Sequence, residues 1–388
     1  MNRQARDKLR LRYEQELFER VLPFWEQHSL DLKYGGLFNN LDRDGTVYDT
    51  TKHMWLLARQ VWMFSKLYRM VEPRQSWLSI AESGMTFLAK HALRPDGRVF
   101  FAVARNGQPI YQQRKIFSEC FYALALAEYA RAIDHTEHLE EAMRMVERIW
   151  DWAYDWSKVN RPSLSGAAPA QMLAVPLMLL HLIDEVMIST DCSSEINDCF
   201  KRIALHVHGN HTFEYVSPDG HRLDGPNGRL INPGHVIEAG WFLQKAATKV
   251  GDSSMIEFSR SMIRNSQSVG WDDVHGGLYY FVDAEGFSPV QLEWSMKLWW
   301  PHCEALYAHL LNYANTSDSK DLVSFQKIDD YVFSHFVDPE YGEWYGYCDR
   351  EGRVTHRFKG GPYKGCFHVP RALLLCWQLL QHWPLSAD

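Results

Sequence analysis

The sequence predicts an all-α fold, an (α/α)6 barrel of about twelve helices with short β-hairpins in the loops. Three observations carry this. Segments with apolar residues at helical spacing recur about twelve times along the 388 residues. Some are apolar on more than one face and others are strongly amphipathic, as inner and outer rings require. Between them recurs an aromatic, alternating segment that ends in an Asp/Asn/Glu-Gly turn. Strands come as hairpins and not singly between helices, which excludes a parallel βαβ fold. An open solenoid of six helix pairs satisfies the same count.

The elements follow in order. A charged amphipathic helix is expected at about 5–28, before the hairpin segment YGGLFNNLDRDGTVYD (34–49). Helices at about 51–71 and 75–92 precede GRVFFAVARNGQPIY (97–111). Helices at about 116–134 and 137–156 follow; the first contains SECFYALALAEYA and reads as inner, the second contains HLEEAMRMVERIW and reads as outer. At RPSLSGAAP (161–169) turn residues occur without strands, so one hairpin of the series is degenerate. Helices at about 170–188 and 194–209 lead to FEYVSPDGHRL (213–223). Those at about 234–249 and 254–267 lead to HGGLYYFVDAEGF (275–287). Those at about 291–314 and 320–336 lead to YGEWYGYCDREGRV (341–354), and a last helix is expected at about 366–382. The turn glycines are Gly45, Gly107, Gly220, Gly286 and Gly352. Only the interval from Gly107 to Gly220 is double the others, which makes six units. Residues 1–388 read as one catalytic domain.

Composition narrows the function. With 48 acidic against 41 basic residues and no basic block, a nucleic-acid or anionic-membrane surface is excluded. The longest apolar runs, such as MLAVPLMLL (172–180), are too short for a bilayer span. Seven cysteines without a CxxC, behind a charged amino-terminal helix, suit a cytoplasmic protein with reduced thiols. No P-loop, GxGxxG, HExxH or GxSxG occurs. Fifteen Trp and 18 Tyr suit core packing, and equally stacking on sugar rings.

The chemistry-bearing residues cluster at helix starts. In GRLINPGHVIEAGWFL (228–243), Asn232 caps a helix that Pro233 opens, so His235 lies in the first turn with Glu238 on the same face. In GPYKGCFHVPRALLLCW (361–377), His368 precedes Pro370 at another helix entrance. Helix dipoles there lower an imidazole's pKa and suit a neutral base; each His is equally able to serve as a cap. QLEWSMKLWWPHCEALYAHL (291–310) puts Trp300 four residues from Glu304, either as core or as an aromatic platform beside a carboxylate. Arg59 lies among apolar residues, so it is either paired structurally or faces a cavity to hold an anion. His206, His208 and His211 resemble a metal cluster, but no Asp or Cys completes it, and no metal is expected.

With these residues in view the chain resembles the N-acylglucosamine 2-epimerase family essentially end to end. The most specific segments are VLPFWEQHS, RQVWMF, FSECFY, RLINPGHVIEAGWF, QLEWSMKLWWPHCEA, DPEYGEWYGY and GGPYKGCFHVPRA. The resemblance implies an (α/α)6 barrel that interconverts N-acetyl-D-glucosamine and N-acetyl-D-mannosamine without metal or redox cofactor. It implies His235 and His368 as catalytic, and Arg59, Glu238, Trp300, Glu304 and Tyr363 as substrate-binding. It further implies a homodimer, and ATP as an activator rather than a reactant, although residues 161–170 depart from the family's pattern. Sister branches epimerise or isomerise unsubstituted sugars such as mannose, glucose or cellobiose.

Opening of the sugar exposes a C1 aldehyde that acidifies the C2 hydrogen. One His then removes that proton, Arg59 holds the enolate or enediolate charge, and the other His returns a proton to the opposite face. Two rival readings share the pattern. A glycoside hydrolase on the same barrel would use two carboxylates among Glu238, Glu304, Asp272 and Asp273. A non-catalytic interaction protein would turn over no sugar.

Overall fold

The computed structural model describes residues 1–161, 166–188 and 190–383. The first rod runs from α1 (Arg3–Gln15) through a π-helical stretch (Glu16–Val21) into α2 (Leu22–His28). It is followed by α3 (Met54–Met70), α4 (Gln75–His91), α5 (Phe117–Ile133), α6 (Thr136–Ala153), α7 (Ala174–Glu185) and α8 (Ser193–Leu205). The remainder are α9 (Pro233–Val250), α10 (Ser253–Gly270), α11 (Trp299–Thr316), α12 (Ser319–His335) and α13 (His368–Gln381). Helices α3, α5, α7, α9 and α11 each pack on the next inner helix, ending with α13, and the other rods lie outside them. The ring closes where Phe367, at the entrance of α13, packs its ring 5.3 Å from Trp62 of α3. A closed ring, not a solenoid, is therefore the architecture.

The two ends of the barrel differ. Outer helices follow inner ones through tight corners at one end. Asp134, Gly251 and Ser317 take left-handed conformations there, and Asp252 and Asp318 cap the next helix within a residue. Every long loop instead precedes an inner helix, so all six inner helices start at the same rim. There the short strand before an inner helix pairs with the next unit's loop: Lys52–His53 with Ala102–Val103, and Gln171–Met172 with Tyr215–Val216. Leu230–Ile231 pairs with Val282–Asp283 and Lys297–Leu298 with Tyr347–Cys348 in the same way.

Three buried ion clusters reinforce this stitching. Asp31 binds Lys52 of its own loop at 3.0 Å and takes a two-pronged contact from Arg105 of the next. Asp272 binds Lys297 at 3.1 Å and Arg350 of the next loop at 3.2 Å. Asp338 binds Lys359 at 2.9 Å and Arg43, which belongs to the first loop, so this cluster spans the seam of the ring. Burial opposes charge on these carboxylates, yet hydrogen bonds from Arg105 and Lys52 to Asp31, from Tyr279 and Lys297 to Asp272, and from Arg43 and Lys359 to Asp338 hold all three far below the ordinary Asp range. Burial also draws Lys297 and Lys359 down to about 8; with the carboxylates held so much lower, the pairs remain charged at neutral pH.

The expected hairpins are present but abbreviated. Ladders flank Gly107 (Ala102–Val103 with Pro109–Tyr111) and Gly352 (Tyr347–Cys348 with Val354–His356). Gly45 and Gly220 are spanned by single bridges, and at Gly286 the strand entering the turn, Val282–Asp283, pairs with Leu230–Ile231 instead. All five turn glycines have positive φ. Gly107 also packs so closely on His91, the last residue of α4, that a Cβ would lie 2.1 Å from the ring; Gly45 does the same on His28. The degenerate unit at 161–169 lies partly outside the described residues. Helix α8 ends at Leu205, and Gly209 turns a tight hairpin (Val207–His208 with His211–Thr212) in which the His206 ring bonds the Phe213 carbonyl. The expectation of a helix from about residue 291 is corrected to a start at Trp299. Leu292 points to solvent and Lys297 is committed to a strand and an ion cluster, so the apolar spacing there is no helix face. All seven cysteines are buried and unpaired, and among the described residues no helix is long and apolar enough to cross a membrane.

Asp338→Asn removes the charge that neutralises Lys359, whose side chain has no exposed surface. The expected loss is about 3 kcal/mol of unfolding free energy in urea melts, typical of a broken buried pair; a change within about 1 kcal/mol would show that the seam closes without it. Because the three Asp are held below their unfolded range, their contribution is present above about pH 4 and lost as pH falls further.

Candidate active site

A cavity of about 640 Å³ opens at the rim, and all six inner helices supply its wall from their amino-terminal halves. They place Trp55 and Arg59, Phe117 and Phe121, Leu177 and His181, His235 and Glu238, Trp299 and Trp300, and His368 and Arg371 around it. Convergent helix starts give the floor a positive field that favours developing negative charge.

His235 is placed as its sequence suggested: the Asn232 side chain accepts from the His235 backbone N–H at 3.2 Å and Pro233 opens α9. Its Nδ1 donates to both oxygens of Glu214, at 3.1 and 3.0 Å. Glu214 is fixed in turn by backbone bonds to Leu230 and Leu173, the residues leading into α9 and α7. His368 opens α13, and its Nδ1 donates to Glu304 Oε1 at 2.7 Å. A carboxylate only accepts, so each ring carries its proton on Nδ1 when neutral and leaves Nε2 free to accept a proton. The Trp300 ring lies 5.2 Å from His235 and 5.9 Å from His368 and so joins the two imidazoles.

The environments of the two rings differ. At His235 burial works against the charged form, but the charge and hydrogen bond of Glu214, with Glu238, outweigh it and raise the pKa. At His368 burial is joined by Arg371 and Arg59, and the pKa falls well below the usual histidine range.

The remaining sequence candidates separate into two layers. Glu238 lines the cavity and accepts from Arg371 at 2.8 Å. Glu304, grouped with the sugar-contacting residues from its sequence position, lies behind His368: Oε1 accepts from His368 and Arg371 and Oε2 from Trp241 at 2.9 Å. Arg59 has no ion pair among the described residues. Its guanidinium lies 3.8 Å from the Phe121 ring centre and 4.4 Å from that of Trp55, and its Nε is unpartnered. Burial lowers its pKa to about 9, so it stays charged at neutral pH. Of the two sequence-based alternatives, the cavity-facing one fits. Tyr363 lies at the mouth, 62% exposed, its ring 6.3 Å from Trp55.

Sequence reasoning missed Glu214, Arg371 and His181. Arg371 follows His368 at the same three-residue spacing that flagged Glu238 after His235. Glu214 was absorbed into a hairpin strand, FEYV. His181 reads as core in MLLHLI; it stacks 4.6 Å from Phe242 with neither ring nitrogen partnered, and burial followed by Arg371 lowers its pKa to about 3. Glu238, Glu304 and His368 bring ligand-type atoms within 4.8 Å of one another, but the Arg371 guanidinium bridges both carboxylates, so a divalent cation there would meet a fixed positive charge. The same bridge disfavours a hydrolase acid–base pair, and Asp272 is committed to Lys297 and Arg350.

Comparison with known proteins places the family and the fold. The family model described as N-acylglucosamine 2-epimerase (GlcNAc 2-epimerase) matches residues 36–372. The N-acylglucosamine 2-epimerase of Mus musculus is 45% identical over 382 residues, 95% of this chain and 91% of that protein. That of Bos taurus is 44% identical over 378 residues, 94% and 89% respectively. Among solved structures, cellobiose 2-epimerase from Bacillus thermoamylovorans B4167 superposes with a TM-score of 0.82 at 22% identity, covering 97% of this chain and all (100%) of that one. A D-mannose isomerase superposes at 0.79 with 18% identity, covering 95% and 97%. These two share the fold. The family match runs from the first loop into the last inner helix and takes in both histidines, and the chain belongs to the N-acylglucosamine 2-epimerase family.

Proposed function

We propose that the chain is an isomerase that interconverts N-acetyl-D-glucosamine and N-acetyl-D-mannosamine by proton transfer at C2, with residues 1–388 acting as one catalytic domain. The observation that carries this is the pair of imidazoles, each bound through Nδ1 to a carboxylate and each lining one cavity beside Trp300. The open-chain sugar places its C1 aldehyde toward Arg59. One Nε2 takes the C2 proton, the C–H electron pair becomes the C1–C2 double bond, and the carbonyl pair moves onto O1. Arg59, unpaired and desolvated, meets that oxyanion, and the convergent helix starts favour it. The second imidazolium protonates C2 from the other side. An acetamido group at C2 blocks the ketose outcome, so epimerisation is the productive route.

Glu238 and Trp300 border the reacting carbons, Tyr363 the far end of the sugar, and Glu304 acts through His368. ATP has the place of an activator in this reading and enters no step. Within 161–170 the described residues offer one cation, Arg161, which lies over Trp156, and one cation is no triphosphate cradle. A cytoplasmic homodimer completes the reading; free buried cysteines and exposed rim side chains such as Tyr34, Tyr48, Ile110 and Tyr111 support it.

Proton NMR in D2O, following C2 across N-acetylglucosamine, N-acetylmannosamine, mannose, glucose and cellobiose, tests the assignment. Exchange and inversion are expected for the two N-acetylated sugars; release of a smaller sugar, or inversion of plain sugars alone, would replace the reading. Replacing either His235 or His368 by Asn should abolish inversion in both directions while each variant still exchanges the C2 proton of one epimer. Substantial inversion by His235→Asn would point to a single base and a rotating intermediate.

Arg59→Lys tests the oxyanion role. A lysine cannot fill the planar slot between Trp55 and Phe121, and turnover should fall by about 10²–10³. Near-normal turnover with only a lower melting temperature would make Arg59 structural.

A further inference from the structure

A two-base epimerase needs one histidine protonated and the other neutral before substrate arrives, and rings in identical settings would leave the proton undecided. The settings here are not identical. Glu214 is buried, and among the described residues its carboxylate bonds one group, His235 Nδ1, with both oxygens in reach. Glu304 also bonds a histidine, but the oxygen facing His368 is shared with Arg371 and its other oxygen is held by Trp241. The negative charge of Glu214 is thus available to His235, whereas that of Glu304 is already claimed by a guanidinium.

Resting on the epimerase reading above, we infer that Glu214 is a positioning residue that holds the resting proton of the histidine pair on His235, so that the free enzyme presents His235 as acid and His368 as base. The other charged groups around the two rings agree with this placement. His235 faces Glu238 of its own helix and, from the segment before α5, Lys115, which opposes its charge more weakly. Glu214 faces Lys115, His206, Tyr215 and Tyr280, none of which bonds its carboxylate. His368 faces Arg371, Arg59 and His235, all opposing a proton there, against Glu238 and the shared Glu304. A consequence follows for turnover. Each inversion moves one proton from the acid to C2 and one from C2 to the base, leaving the enzyme with its proton on His368. The Glu214 charge then favours return of that proton to His235 before the next sugar of the same configuration reacts.

Glu214→Gln tests this, because it keeps the shape and an accepting oxygen and removes the charge. In the wild type, kcat/KM against pH should fall on the acid side as His368 protonates and on the alkaline side as His235 deprotonates. In Glu214→Gln the alkaline limb should move down by about one pH unit or more, with the acid limb in place. At pH values above the wild-type alkaline limb activity is then about tenfold lower or more and recovers on acidification; Glu214→Asp should keep its alkaline limb nearer the wild type. An equal loss at every pH, or an unmoved alkaline limb, would overturn the inference. Histidine NMR titration of the sugar-free wild type reads the same property without a variant or turnover: His235 should titrate above about 6.5 and His368 below it, and the reverse order would overturn the inference as well. If that order holds but no sugar in the panel is inverted, the epimerase reading fails while the proton placement stands.

Discussion

The architecture depends on how a buried carboxylate is neutralised at the rim. Asp31, Asp272 and Asp338 each bind a fully buried lysine of their own loop and an arginine of the following loop. A carboxylate or lysine left alone in such a place would be prohibitively desolvated, so neither loop can leave without the other. Because Arg43 reaches Asp338, first and last loops obey the same rule, and the ring closes chemically as well as sterically. Helices α3, α5, α11 and α13 are entered from these loops and inherit fixed angles and heights, and α7 and α9 are entered through the strand pairs of Gln171–Met172 with Tyr215–Val216 and Leu230–Ile231 with Val282–Asp283.

That constraint explains why a site can be spread over all six inner helices. Residues as far apart in the chain as Arg59 and His368 must hold distances of a few ångströms through catalysis, and a pair of packed helices alone would let them slide. The loop before α13 shows the coupling locally. Asn39 of the first loop donates to the carbonyls of Gly361 and Lys364, and Lys364 binds Glu343 at 2.7 Å, so the chain leading to His368 is anchored from both sides of the seam.

How much of this was legible in the sequence follows from the range of each interaction. Helix positions were legible because burial at a period of 3.6 is local; the start of α11 was misread where Leu292 continued the period without being buried. His235 and His368 stood out because Asn232-Pro233 and Pro370 mark helix entrances, and Arg59 because a guanidinium among apolar residues demands a reason. The histidines' pairing with carboxylates did not: Glu214 was absorbed into a hairpin strand, and Glu304 was singled out beside Trp300 rather than as the partner of His368. Glu214 lies 21 residues before His235 in the irregular loop that leads into α9, and Glu304 lies 64 residues and one outer helix before His368; neither spacing carries a signal along the chain. The rim clusters were half visible: the YGGLF and HGGLY segments were recognised as the beginnings of hairpins, while the Asp that precedes each reveals itself only when a lysine some 20 residues on folds back to it.

The placement of charge within the cavity completes the argument. Three carboxylates crowd a site that is to stabilise an anion, which would be self-defeating if they faced it. They are engaged instead: Glu214 by His235, Glu304 by His368, Arg371 and Trp241, and Glu238 by Arg371. Arg59 and the Nε2 atoms of two imidazoles stay uncommitted over six convergent helix starts, and the cavity wall also carries Lys115 and Glu293 without a side-chain partner among the described residues. Glu214 and Glu304 thus fix tautomers and proton positions from behind, while Glu238 reaches the cavity with its charge already bound to Arg371. Exchanging the layers, with a carboxylate forward and a histidine behind, would keep the net charge and the fold but oppose the enolate, so orientation and not composition makes this barrel suited to removing a proton next to a carbonyl.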